Sequence, residues 1–473
     1  MKRITILGGG PGGYTAAFAA AKAGAAVTLV EPAGMGGTCL NSGCIPTKTL
    51  KASAEALETA HRLAEFGITG VGEAVADMAK IVARKEKVRQ VLCGGLEKTC
   101  AMLKVTLVRG KGRLAGGTNV AVALNEGGET LVEGDAVILA TGSRALDLPG
   151  LAVDHAHILS SDDALNLTEV PKRLLIVGGG VIGCELAFIF QAFGSKVRIV
   201  EGQTRLLPLP AVDEEISKLL LRETKKRGIA AELGATVAGV EKRPDGSVLV
   251  NLGPSPFVAP ELAWKGDGPT EADAVMVTVG RAPNSGDLGL KEAGVETDAR
   301  GWISVNDRME TSAQNIYAVG DVLGPAKIML AHVAAVEGLC AVANCLGRDE
   351  RMDYRVVPSG IFTSPEIGTV GMSEAEAKAK NIPVKTAVFQ MRELGKAQAM
   401  GEPAGLFKLI AEEGSGKLLG AHIAGAHASD LVAEAALALQ MGATAADVAN
   451  TIHSHPTLAE GMYEAALSLA GGH

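Results

Sequence analysis

Short apolar runs that end in glycine turns recur along the chain. The runs at residues 4–7 and 174–177 are each followed by a cluster of glycines and then by a longer apolar stretch. A short strand, a tight turn and a helix in that order are typical of the opening of a parallel α/β unit. The pattern therefore predicts two such units in one chain.

Changes in the pattern divide the chain into four segments. Residues 1–145 and 146–275 open alike, and residues 276–347 carry further strands with glycine turns that return to the first unit. From residue 348 onward, strand-like runs and an Ala-rich helix at 431–442 indicate an α+β domain. A proline-rich stretch at 253–270 is expected to be a surface loop. The fold class is thus α/β, with two Rossmann-like dinucleotide domains and a C-terminal α+β domain.

Each predicted turn has the spacing G-x-G-x-x-G, and a glutamate ends the next strand 23 residues after the first glycine. The residues are Gly8, Gly10, Gly13 and Glu31 in the first unit, and Gly178, Gly180, Gly183 and Glu201 in the second. With 60 glycines in 473 residues the motif alone is weak, and two ordinary βαβ units remain an alternative. In context, glycines let the backbone approach a pyrophosphate while the acid binds a ribose.

Two such sites predict two dinucleotides, FAD held tightly and a nicotinamide exchanged. Glu201 favours NAD, because a carboxylate repels the phosphate of NADP. An NADP site usually offers an arginine to the phosphate, and Arg205 lies four residues after Glu201, so NADP remains the alternative.

Composition excludes several classes of protein. Aromatic residues are 3% of the chain and the net charge is −8, without a block of Lys and Arg, so nucleic acid is not an expected partner. No run reaches 18 apolar residues, so we expect no membrane span. Seven cysteines with irregular spacing do not form a secreted disulfide framework. We expect a cytoplasmic protein.

Two cysteines are candidates for redox chemistry. Cys39 and Cys44 lie in GGTCLNSGCIPTK, directly after the first βαβ strand. A thiolate at the start of a helix is stabilised by the helix dipole. Two unrelated buried cysteines are the alternative. Other cysteines are expected to be packing residues, since Cys340 and Cys345, also five apart, lie about 500° apart around a predicted helix.

Further motifs connect the chain with a known family. GGTCLNSGCIPTK, ATGS at 140–143, VGRAPN at 279–284, AVGD at 318–321, MLAH at 329–332 and HSHPTLAE at 453–460 occur in the order found in that family. The chain resembles the class I pyridine-nucleotide disulfide oxidoreductases nearly from end to end. Ser42 and Ser364 depart from the family pattern, which often has a larger residue at the first position and histidine at the second.

The resemblance implies roles for individual residues. Cys44 would exchange charge with the flavin, Cys39 would meet the substrate, and Lys48 would lie by the flavin, paired with Glu185. His455 would be the acid–base group oriented by Glu460, with His453 as its rival. Further FAD contacts would come from Asp321, Met329, Leu330, Ala331 and His332, and Gly280 would contact NAD. Further cofactor-binding residues would be Gly112, Thr141, Gly142, Ser143, Glu185 and Val237.

Glu201 and the HPTLAE ending are most similar to the family members that oxidise dihydrolipoamide with NAD. The resemblance implies a homodimer formed through the C-terminal domain, and a lipoyl-bearing carrier protein of a 2-oxoacid dehydrogenase or glycine cleavage complex as partner. It also implies a role in redox homeostasis. A related disulfide or mercuric reductase that uses NAD(P)H, or a flavoprotein scaffold subunit, remains open.

Overall fold

The computed structural model describes residues 1–70, 72–266 and 268–471. Its first unit contains, in chain order, β1 (Arg3–Leu7), α1 (Pro11–Lys22), β2 (Ala26–Val30), α2 (Gly37–Asn41), α3 (Cys44–His61), a 3₁₀ helix (Leu63–Phe66), α4 (Met78–Met102), β3 (Thr106–Val108), β4 (Gly110–Leu114), β5 (Val120–Leu124), β6 (Glu129–Val132), β7 (Ala136–Leu139) and β8 (Ser143–Ala145). Strand β7 is apolar and buried throughout, and β1 is buried on both faces from Ile4 onward, as the interior of a parallel sheet requires.

The second unit repeats this plan. It contains β9 (Ile158–Ser160), α5 (Ser161–Ala164), β10 (Arg173–Val177), α6 (Val181–Ala192), β11 (Lys196–Glu201), α7 (Glu214–Lys226), β12 (Ala230–Leu233), β13 (Ala235–Lys242), β14 (Val248–Pro254), β15 (Pro269–Ala272) and β16 (Ala274–Val277). Strand β17 (Arg281–Pro283) follows and pairs with β8 of the first unit. The parallel sheet has the order β12-β11-β10-β16-β9.

Two sequence boundaries shift in this unit. Strand β16 crosses the boundary at residue 275 and belongs to the second sheet, because it pairs in parallel with β10. The stretch 253–270 is not a loop throughout, because its ends lie in β14 and β15, which pair with each other. Polar and proline-rich composition concealed these strand ends.

The chain then returns to the first unit through β18 (Ile316–Ala318), a 3₁₀ helix (Gly320–Ala326) and α8 (Ala331–Cys345). Strand β18 pairs in parallel with β7 and completes the sheet β18-β7-β1-β2-β3. Helix α8 packs against α1 over this sheet, where both helices contribute small buried residues.

The last unit has one antiparallel sheet, β19-β20-β23-β22-β21, covered by helices. Its elements are β19 (Ser359–Ile361), β20 (Glu366–Gly371), α9 (Glu374–Ala379), β21 (Val384–Gln390), a 3₁₀ helix (Met391–Glu393), α10 (Gly395–Met400), β22 (Leu406–Glu412), β23 (Leu418–Gly425), α11 (Ala428–Met441), α12 (Ala445–Ala449) and α13 (Glu460–Leu469). The α/β fold with a C-terminal α+β domain agrees with the prediction.

Among the described residues, no single helix is long and apolar enough to cross a membrane. The 3₁₀ helix Gly320–Ala326 and α8 together have the length and apolar composition of a span, but the two helices are bent by 108° where they join.

Candidate functional site

The first glycine turn joins β1 to α1 and is closed by a buried acid. Gly8 has φ of +107°, which favours glycine, and a Cβ on Gly13 would lie 1.8 Å from the Gly8 carbonyl oxygen. The Glu31 carboxylate accepts hydrogen bonds from Gly9 N at 2.6 Å and from Ala33 N at 2.8 Å. The acid therefore fixes the turn as well as the end of β2.

The second turn has nearly the same geometry. Gly178 has φ of +109°, and a Cβ on Gly183 would lie 1.9 Å from the Gly178 oxygen. Glu201 accepts from Gly179 N at 2.6 Å and from Gln203 N at 2.7 Å. The structure thus places both predicted turns and both acids in equivalent positions.

Two adjoining cavities follow the first turn. One, of about 170 Å³, is lined by Gly8, Gly10, Asp321, Met329 and Ala331 and extends to both thiols of the dithiol. The other, of about 810 Å³, contains Glu31 and Gly112. Gly8, Glu31, Thr141 and other residues line both cavities. They form one long cleft from the acid to the cysteines.

The residues of this cleft fit a dinucleotide. The buried Thr141 hydroxyl has no hydrogen-bond partner within the described part of the chain. Gly142, beside it, leaves open space where a Cβ would stand, and a Cβ on Gly10 would meet only Gly37 Cα, at 3.7 Å. A buried polar group without a partner is costly, so a ligand that hydrogen-bonds to it is favoured.

The dithiol lies at the junction of α2 and α3. Cys39 is in α2, and Cys44 is the first residue of α3. A hydrogen bond from Cys39, reinforced by Lys48 and by the Cys44 backbone N–H, lowers the pKa of Cys44 to about 7. The same hydrogen bond, together with burial, raises the pKa of Cys39. In the reduced pair these opposite shifts favour the proton on Cys39 and the thiolate on Cys44.

An ion pair connects this helix with the second unit. Lys48 Nζ lies 3.1 and 2.9 Å from the two carboxylate oxygens of Glu185, on α6. Glu185 also accepts from Phe362 N at 2.9 Å, and Lys48 Nζ lies 4.3 Å from the centre of the Phe362 ring. The expected Lys48–Glu185 pair is present, whereas Phe362 gave no signal in the sequence.

His455 and Glu460 are also paired. His455 Nδ1 lies 2.7 Å from Glu460 Oε1, and the histidine side chain is 78% exposed. The side chain of His453 is only 7% exposed and is held by Glu434 and the Thr451 carbonyl. Of the two histidines, His455 is the one free to meet a substrate.

The remaining predicted residues lie around these two turns. The Ser143 hydroxyl donates to Asp321 at 2.7 Å. Arg281 donates to the same hydroxyl at 2.6 Å. This arginine lies in the VGRAPN motif, and the sequence alone did not indicate this contact. Leu330 precedes α8, and His332 Nε2 lies 2.9 Å from the Pro358 oxygen.

In the second unit, Gly180 ends the glycine turn, Val237 lies in β13, and Gly280 has φ of +140°. Arg205 donates to the carbonyls of Val212 and Leu209 and to the Ser217 hydroxyl, so its guanidinium is engaged by its own loop and by the first turn of α7.

Of the two departures from the family pattern, Ser364 has a polar partner, because its hydroxyl accepts a hydrogen bond from Arg227 at 2.8 Å. Ser42 is the residue that follows α2.

Comparison with known proteins agrees with this geometry. Residues 2–338 match the model of the pyridine nucleotide-disulphide oxidoreductases, and residues 357–466 match the dimerisation domain of the same family. The chain belongs to this family. It is an oxidoreductase that uses FAD and NAD, and the match to the dimerisation domain supports a homodimer.

Individual relatives are similar over nearly their whole length. The chain is 40% identical to a dihydrolipoyl dehydrogenase of Chlamydia muridarum, covering 98% of this chain and 95% of the relative. It is also 40% identical to a dihydrolipoyl dehydrogenase of Haloferax volcanii, covering 99% and 96%. The crystal structure of LpdA from Mycobacterium tuberculosis superposes with a TM-score of 0.89 at 28% identity, covering 99% of this chain and all of the other.

Proposed function

We propose that this enzyme oxidises protein-bound dihydrolipoamide to lipoamide and reduces NAD, with Cys39 and Cys44 as its redox pair. The observation that carries the proposal is the position of both thiols in the wall of the cleft that begins at the first glycine turn. The names of relatives at 40% identity support the choice of substrate.

The substrate half of the reaction is thiol–disulfide exchange. In the oxidised enzyme, Cys39 and Cys44 are joined, and one dihydrolipoamide thiol gives its proton to His455 and attacks Cys39. The Cys39–Cys44 bond breaks, and Cys44 leaves as a thiolate. The second substrate thiol then displaces Cys39, which closes the lipoamide disulfide and leaves a proton on Cys39.

The chain stabilises each charge that this exchange creates. Lys48 and the N-terminus of α3 favour the Cys44 thiolate, as its lowered pKa indicates. Glu460 accepts from His455 Nδ1, which leaves Nε2 to take the substrate proton. FAD, when bound along the cleft by residues such as Glu31, Gly112, Thr141 and Asp321, supplies the path for two electrons from the dithiol to NAD. The second turn with Glu201 would hold NAD.

We further propose that the site is shared between two subunits. His455 and Glu460 lie in the unit that matches the dimerisation domain, and His455 is largely exposed in a single chain. The partner subunit's His455 would then face Cys39. A lipoyl-bearing carrier protein would present the substrate. Outside the pair, five cysteines are buried as free thiols, which supports a cytoplasmic location.

A steady-state assay of the purified dimer tests the proposal. Dihydrolipoamide with NAD should turn over rapidly, and Cys39→Ser or Cys44→Ser should abolish turnover. Faster reduction of another disulfide or of Hg²⁺ by NADPH would assign the chain to a different reductase. Absence of turnover in an FAD-loaded dimer that still binds a lipoyl carrier would favour a scaffold role.

A further inference from the structure

A folded segment lies beside the carboxyl ends of β11 and β12 in the second parallel sheet. Residues 255–266, between β14 and β15, are anchored at Gly234, which follows β12: Ser255 N and Trp264 N both donate to its carbonyl, at 2.8 and 2.9 Å. Trp264 Nε1 also donates to Glu232 Oε2 at 3.0 Å. Ligands of open α/β sheets bind at this end of the strands. The segment therefore has a fixed position beside the second dinucleotide site.

Phe257 in this segment lies directly beside the acid strand. Its side chain is 67% exposed, although Trp264 and Ser255 on either side are largely covered. A Cβ on Gly202 would lie 3.0 Å from Phe257 Cδ2 and 3.5 Å from Cε2, so the ring rests against the backbone just after Glu201. Any larger residue at position 202 would push the ring away. The absence of a side chain at Gly202 therefore leaves the space that the Phe257 ring occupies.

We propose that Phe257 stacks on the adenine of NAD and contributes to the affinity of the enzyme for this coenzyme. The inference rests on the proposed NAD site, since Glu201 would hold the adenosine ribose to which the base is bonded. Because the adenine is bonded to that ribose, it must lie close to Gly202, beside the exposed ring of Phe257. Stacking of a base on an aromatic ring increases affinity, and it does not depend on which groups are attached to the rest of the ligand.

Binding of ADP-ribose to the FAD-loaded dimer tests this contact apart from hydride transfer, because the ligand lacks nicotinamide. By calorimetry, Phe257→Ala should bind ADP-ribose about five- to tenfold more weakly. Phe257→Trp should restore the affinity. In turnover, Phe257→Ala should raise the KM for NAD by a similar factor and leave kcat nearly unchanged, because the adenine is remote from the reacting atoms.

Leu262→Ala is the matched control. Leu262 is in the same segment and is 59% exposed, so its loss should leave ADP-ribose affinity unchanged. Equal weakening by both variants would show that segment folding matters rather than stacking, and it would overturn the inference. So would wild-type affinity in Phe257→Ala. Failure of the wild type itself to bind ADP-ribose would instead contradict the proposed NAD site.

Discussion

Lys48 and Glu185 form an ion pair between the helix that begins at Cys44 and the helix that follows the second glycine turn. The carboxylate is 5% exposed and lies 2.9 Å from the ammonium at its nearer oxygen. Because Glu185 also accepts a backbone hydrogen bond from Phe362, one carboxylate links all three parts of the fold. The charge that stabilises the Cys44 thiolate is therefore held in place by the architecture of the whole chain.

Lys48→Met should raise the pKa of Cys44, because Lys48 is one of the groups that lower it. Removal of the ammonium disfavours the thiolate and leaves the charge of Glu185 nearby, so a rise of about one unit is expected. The measurement is the pH dependence of alkylation in a Cys39→Ser background, in which Cys44 is the remaining thiol of the pair. The alkylation rate of Cys44 should rise with pH both with and without Lys48→Met. The midpoint of the rise should lie at higher pH when Lys48 is replaced.

Lys51→Met is the control for that experiment. Lys51 lies one turn further along α3 and pairs with Glu55 at 2.9 Å. Its replacement should leave the alkylation profile in place. An unchanged profile in Lys48→Met would remove Lys48 from the thiolate site.

Thr141→Val should weaken FAD binding without lowering the stability of the FAD-free protein. The Thr141 hydroxyl is buried without a partner among the described residues, so its loss costs nothing in the absence of ligand. With ligand, the lost hydrogen bond corresponds to about fivefold weaker binding. Thermal midpoints with and without added FAD check both expectations. An equal FAD-induced rise of the midpoint in the wild type and in Thr141→Val would contradict the contact between Thr141 and FAD.

The sequence predicted the parts of the site that are local in the chain. Glycine spacing, the acid that ends each second strand and the Cys39–Cys44 segment are encoded within some 25 residues each, so pattern and motif were sufficient. The Phe362 contacts with Glu185 arise from tertiary packing over 177 positions and carry no local signature. Likewise, only the structure shows that the Arg205 guanidinium contacts its own loop rather than remaining free for a phosphate.

Glu201→Gln should shift coenzyme preference towards NADP. The amide keeps one oxygen for Gly179 N or Gln203 N but removes the charge that repels a 2′-phosphate. The ratio of kcat/KM for NADPH to that for NADH should rise about tenfold. Glu31→Gln makes the same change in the first turn and should lower FAD retention while leaving this ratio unchanged. A wild-type preference for NADPH would contradict the NAD site at Glu201.

A buried cluster between the second unit and the C-terminal domain should be important for stability. Lys408 lies 3.0 Å from Asp213 and 2.6 Å from Glu374, and the side chains of Lys408 and Asp213 are each 3% exposed. Lys408→Met leaves the Asp213 charge buried, which should cost about 3 kcal/mol at neutral pH. Chemical denaturation measures the loss. Adding Asp213→Asn to the variant should restore part of it.

The pH dependence of this loss has a definite sign. Burial acts to raise the pKa of Asp213, but hydrogen bonds from two backbone N–H groups and from Lys408 outweigh it and lower the pKa. The carboxylate therefore stabilises the fold above its unfolded pKa of about 4, and this contribution is lost as pH falls through the folded pKa. The deficit of Lys408→Met should shrink in acid. Lys111→Met, which breaks an exposed pair with Asp287, should leave stability unchanged at either pH.

Complementation should show that each site is shared between two subunits. Cys39→Ser and His455→Ala dimers should each be nearly inactive. After co-expression, a heterodimer has one site in which an intact Cys39 faces an intact His455, so activity returns. Random pairing makes about half of the dimers heterodimers with one working site of two, which predicts about a quarter of wild-type activity. Differently tagged chains show that heterodimers have formed. If they are present and activity stays at the level of the single variants, Cys39 and His455 act within one chain, and the exposed histidine needs another explanation.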